Sequence, residues 1–103
     1  MATSGKAQEA LADCNEALRL RADYVGALAS RGYVNLRLQN FAAAIRDYDA
    51  ALSVNPNIAM SLFGRGVAKL RIGNSADGNA DITEALKRDP EVALKMAKFG
   101  VSP

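Results

Sequence analysis

The chain has 103 residues, half of them apolar and 23% charged, with a net charge of +2, one cysteine and no histidine. These totals suit one small folded domain and exclude a linker or a disordered tail, and a charge so near zero argues against a nucleic-acid partner. The missing histidine removes the commonest general base and metal ligand, and Cys14 by itself allows no internal disulfide. No apolar run approaches the ~18 residues of a membrane span, and the N-terminal MATSGKAQEA lacks a signal-peptide core. The expectation is therefore a soluble chain, cytoplasmic if complete, with no membrane partner.

In chain order, residues 6–22 read as a lone helix carrying Ala10, Asp13, Ala17 and Leu18. From Val25 to about Leu38 the apolar residues Leu28, Val34, Leu36 and Leu38 predict a second helix, with Asp23 placed to cap its start. A break at Gln39-Asn40 follows. The third helix runs from Phe41, with Phe41, Ala44, Ile45, Tyr48, Ala51 and Leu52 on one stripe, and stops at Asn55-Pro56 because proline cannot continue the ladder. Asn57 is placed to cap a fourth helix reaching about Ile72. Gly73-Asn74 ends it, and a fifth helix runs to Asp89-Pro90. Asp89 to Phe99 predicts a last helix, which Gly100 is able to end.

Sliding the sequence by 34 residues aligns these elements with one another. Gly32 falls on Gly66, Arg31 on Arg65, Leu28 on Leu62, Leu36 on Leu70, Ala51-Leu52 on Ala85-Leu86 and Pro56 on Pro90. Asp13, Asp47 and Asp81 form a further series. A fixed period of this size means stacked supersecondary units.

The residues Leu28, Gly32, Ala44, Tyr48 and Pro56, repeated as Leu62, Gly66 and Pro90, resemble the tetratricopeptide repeat family. The family's Trp, Leu and Tyr are replaced in both units, and Gly78 and Ser75 weaken the fifth helix by their low helix propensity. The resemblance implies an all-α, right-handed α-solenoid of antiparallel helix pairs with about six helices. Its division is a half repeat at 6–22 holding only a second helix, full repeats at 23–56 and 57–90, and a capping helix within 91–103. Gly32, Ala44, Tyr48, Ala51, Pro56, Gly66, Ala85 and Pro90 are then the structural positions of the repeat.

Catalytic chemistry is not expected. The serines and Cys14 have no histidine to activate them, and Cys14 aligns with Tyr48 and Ile82 on the core stripe, the place of a buried thiol. Asp77-Gly78-Asn79-Ala80-Asp81 begins like a calcium loop, but Ile82 and Arg88 stand where the turn glycine and bidentate glutamate belong. Gly64-Arg65-Gly66 lacks the Gly-Lys-Ser/Thr of a phosphate loop. No cofactor or metal is expected. The Asp13, Asp47, Asp81 and Arg31, Arg65 series instead predict charge pairs that fix the register of neighbouring layers.

In solenoids of this kind first helices line the concave face. Between Tyr24 and Leu38 the only charges are Arg31 and Arg37, and between Ile58 and Ile72 they are Arg65, Lys69 and Arg71, whereas the acids gather in the second helices. The groove is thus expected to be positive. Helical spacing selects Tyr33, Leu36, Arg37, Met60, Phe63, Val67, Leu70 and Arg71 as its lining, a set rich in the residue types that dominate interfaces. The Lys and Asn that clamp a peptide's terminal carboxylate in some family members are absent there. The expected function is a non-enzymatic scaffold for a partner protein or peptide with an apolar and acidic segment. The alternative is self-assembly into homo-oligomers through the incomplete ends, the last helix of one copy docking on the first helix of another.

Overall fold

The structure, a computed structural model, describes residues 2–103, with side chains from Gly5 onward. Among the described residues six helices follow one another: α1 (Ala2–Leu20), α2 (Val25–Arg37), α3 (Phe41–Val54), α4 (Ala59–Arg71), α5 (Ser75–Arg88) and α6 (Val92–Lys98). α2 pairs with α3 and α4 with α5, while α3 touches α4, α2 touches α4, and α6 rests on α4 and α5. The architecture is an all-α helical repeat. No helix is long and apolar enough to cross a membrane among the described residues.

The turns recur with the same period as the helices. Gln39 and Gly73 both adopt left-handed backbone, with φ of 64° and 88°. The amides of Asn40 and Asn74 then donate back to the carbonyls of Asn35 and Lys69 at 2.8 and 2.9 Å. This reverse turn satisfies carbonyls that a helix end would otherwise leave unpaired. The two proline turns are alike as well. The side chains of Asn55 and Asp89 accept the amides of Asn57 and Glu91 at 3.1 and 3.0 Å, bending the chain around Pro56 and Pro90.

That turn corrects the expected helix starts. Asp23 and Asn57 do not cap: the N-cap positions are Tyr24 and Ile58, and neither makes a side-chain cap bond. Asp23 pairs with Arg21 at 3.2 Å, and Asn57 is committed to Asn55. The last helix begins at Val92, later than expected, because the Asp89 turn uses the residues before it and Lys95 closes on Asp89 at 2.6 Å.

Packing explains a residue that propensity counts as a defect. A Cβ built on Gly66 would lie 2.7 Å from the carbonyl oxygen of Gly78, and one on Gly78 would lie 2.8 Å from that of Gly66 and 3.0 Å from Leu70. The backbones of α4 and α5 meet at these two glycines. Gly78 costs α5 some helix propensity and in exchange permits the close approach.

The second-helix stripe is best covered in the middle of the stack. Ala44, Tyr48, Ala51 and Leu52 of α3 are all buried, whereas Ala10, Cys14, Ala17 and Leu18, one period earlier on α1, are half-buried. Among the described residues α1 packs against α2 alone. Cys14 is consequently not the enclosed thiol expected, although partial burial outweighs the nearby Arg31 and pushes its thiol upward.

Candidate protein-binding face

Two arginine series run along the first helices, and the structure separates them. Arg31 donates to Asp47 of α3 through Nε and Nη2 at 3.0 and 2.7 Å, and through Nη1 to Asn15 of α1 at 2.9 Å. One period later Arg65 grips both oxygens of Asp81 on α5 at 2.8 and 2.9 Å and reaches back to Asp49 of α3 at 2.8 Å. Asn35 and Lys69, also one period apart, supply a further donor to Asp47 and Asp81 at 2.9 and 3.0 Å. Each arginine thus ties its own helix pair together and also holds the layer before it. The expected pairing is confirmed in kind and corrected in detail, because Asp47 and Asp81 bond within their own helix pair. Asn15 and Asp49 bridge the layers, and Asp13 is exposed.

The electrostatics follow from this geometry. Burial is the largest influence on Asp81 and acts to raise its carboxyl, but hydrogen bonds and charge from Arg65 and Lys69 together hold it below the usual carboxylate range. The Asp47 hydrogen bond raises Arg31, and the Asp81 hydrogen bond raises Arg65.

Arg37 and Arg71 are placed differently. Both are exposed at the ends of α2 and α4, and no salt bridge reaches either among the described residues. Their partners are neutral oxygens: main-chain carbonyls and, for Arg37, also the Tyr33 hydroxyl at 3.4 Å. Arg37 Nη1 donates to the carbonyl of Phe99, and Arg71 Nη2 donates to that of Ser102 at 2.9 Å. The two guanidinium groups share a pocket of roughly 210 Å³ with Leu36, Val67 and residues 100–102.

Beside it lies a second, almost wholly apolar pocket of roughly 280 Å³, bounded by Ala29, Tyr33, Met60, Met96 and Phe99 with Tyr48 and Ser61 also on its wall. Tyr33 meets Phe99 edge to face at 5.9 Å between ring centroids, and its hydroxyl donates to the Phe99 carbonyl at 2.9 Å. Ser61 is buried and its hydroxyl has no partner among the described residues. Burial also pushes the Tyr48 phenol upward, helped by Tyr33 and Asp47.

Of the eight residues expected to line the groove, Tyr33, Arg37, Met60 and Arg71 reach these pockets with accessible side chains, and Leu36 and Val67 form a buried floor. Phe63 is only 1% exposed and belongs to the core that α6 closes. Leu70 packs on Gly78 of α5. The elements absent from the sequence reading are Met96 and residues 99–102, which fold over the first-helix face. Apolar Phe99 and Val101 on either side of a helix-ending glycine were the available signal.

Residues 25–58, which run from the start of α2 through α3 to the turn before α4, match the family model described as tetratricopeptide repeat. Such repeats generally mediate protein–protein interaction and are typically non-enzymatic. A comparison with curated proteins gives no match.

Proposed function

We propose that this chain is a non-enzymatic interaction scaffold that holds a partner protein segment, apolar with acidic residues, across the face formed by α2 and α4. The observation that carries the reading is the contrast between its arginines. Arg31 and Arg65 are neutralised within the fold, whereas Arg37 and Arg71 have only neutral acceptors and open onto one pocket. A carboxylate in that pocket would exchange neutral hydrogen bonds for charge-assisted ones, which are roughly twice as strong. Tyr33 and Met60 on the adjoining apolar pocket supply the kind of side chain that anchors interfaces.

The experiment is affinity capture with the wild type beside an Arg37→Glu, Arg71→Glu variant, followed by titration of any captured protein in a salt series. Both substitutions lie on exposed side chains, and a thermal melt of the variant checks that its fold is kept. Proteins held by the wild type, lost by the variant and weakened by salt support the reading. Equal capture by both chains refutes it.

Self-assembly is kept as a second reading because of the half-covered stripe of α1 and the 67% exposed Leu94 on α6. It now takes a different form, since α6 uses Val92 and Met96 inside its own molecule and has only its outer face to offer. A sedimentation profile that grows with concentration and collapses with Leu94→Glu would favour this reading. An unchanging monomer would remove it.

A further inference from the structure

We infer that residues 99–102 occupy the partner site in cis, so that the site's ligand is a segment of matching chemistry that must displace them. The inference rests on the scaffold reading above and names both its ligand class and its regulation.

Three observations carry it. The end of α6 is already complete without the face: Gly100, at φ 79°, donates to the Ala97 carbonyl, and Val101 to that of Met96, both at 2.9 Å. The contacts to α2 and α4 are additional to that cap, and they are those of a bound peptide. Two main-chain carbonyls, at Phe99 and Ser102, are taken by Arg37 and Arg71, residues one repeat period apart.

The side chains define the rest of the ligand. Phe99 sits on Tyr33 yet remains 51% exposed, and Val101, 3% exposed, inserts into the core cluster beside the arginine pocket. A ligand of this face therefore carries an aromatic residue, an aliphatic residue two places later and an acceptor at the next position. The cis segment places only a neutral carbonyl before Arg71. A partner with aspartate or glutamate there gains a charge-assisted bond that the chain's own segment lacks. Attachment gives the cis segment an effective concentration in the millimolar range, so weak or neutral competitors are excluded while acidic ones enter.

The test uses the full chain and a fluorescent peptide copying residues 97–103 with the substitution S102D. Anisotropy is measured on the wild type and on two chains with a loosened segment, Gly100→Ala and Val101→Ser. A methyl group on Gly100 is strained at its positive φ and would collide with the Arg37 guanidinium. The expected result is binding at least about tenfold tighter to the loosened chains, the gain that follows when an internal competitor at about 1 mM has an intrinsic dissociation constant of about 0.1 mM or lower. Adding Arg71→Ala to a loosened chain should abolish the gain.

Equal affinity for wild-type and loosened chains overturns the inference, as does a gain that survives Arg71→Ala. Should the loosened chains fail to fold, NMR on isotope-labelled wild type decides. Excess unlabelled peptide should remove the cross-peaks between the chain's own Phe99 and Tyr33 rings while leaving α4 unchanged, and unaltered cross-peaks overturn the inference. Peptide displacement together with equal lysate capture by wild type and the Arg37→Glu, Arg71→Glu variant would leave cis occupancy standing and the scaffold reading refuted. Selective lysate capture without peptide displacement would do the reverse.

Discussion

Arg31 and Arg65 on one side of the first helices, and Arg37 and Arg71 at their ends, are copies of one another in residue type and period. They differ in what faces them. The first pair meets carboxylates and an amide from two other helices, so its charge is absorbed into the joint between layers. The second pair meets two carbonyls from the chain's last residues, so its charge is left over. Repetition thus accounts equally for a structural rung and for a binding edge. The counter-charge supplied by the second helices is what distinguishes them.

The comparison yields effects of decreasing size. Asp81→Ala should cost about 3 kcal/mol in urea unfolding, because it removes the carboxylate shared by the partly buried Arg65 and Lys69 and leaves Arg65 only the exposed Asp49. The wild type should also weaken in acid through this group. An aspartate held low by the fold stabilises fully above its unfolded pKa of about 4, and that stabilisation is lost as pH falls through the depressed native value. Urea midpoints measured from neutral pH into acid should therefore fall less steeply for Asp81→Ala than for the wild type. An identical slope would mean the joint is not sensed by Asp81.

Arg65→Lys keeps the charge and loses the two-pronged grip on Asp81 and the reach to Asp49, so about 1–2 kcal/mol of stability should go with it. Arg37→Ala combined with Arg71→Ala should cost only about 1 kcal/mol, since exposed side chains and neutral acceptors are involved. A larger loss in thermal melts would erase the distinction between the two pairs. The smallest effect lies in the turn just beyond Arg37. Gln39→Gly removes a left-handed strain that Gly73 does not have one period later, and should stabilise by about 0.5–1 kcal/mol.

Much of the fold was legible because the sequence repeats its punctuation. Gln39 with Gly73, and Pro56 with Pro90, mark turns whose geometry the structure reproduces in both copies. The helix starts were misplaced because Asp23 and Asn57 have the right side chains for caps, while the helices begin one residue later, with the Asp23 carboxylate paired to Arg21 and the Asn57 amide held by Asn55. Gly78 looked like a weakness because propensity is a property of an isolated helix, and its role concerns a second helix passing over it. The candidate face was legible in its charges and only partly in its apolar residues. Tyr33, Met60 and the two end arginines reach it, but Phe63 and Leu70 satisfy the same helical spacing and are consumed by α6 and α5.

The sequence by itself determined the helical class, the period, the turns and the excess of positive charge on the first helices, because each depends on local backbone preference or on residues at constant spacing. Which apolar residues stay open, which arginines are neutralised and what lies over the face were decided only by tertiary structure. Each of those depends on contacts between residues far apart in the chain, such as Tyr33 with Phe99 and Arg71 with Ser102, and no periodicity along the chain specifies them.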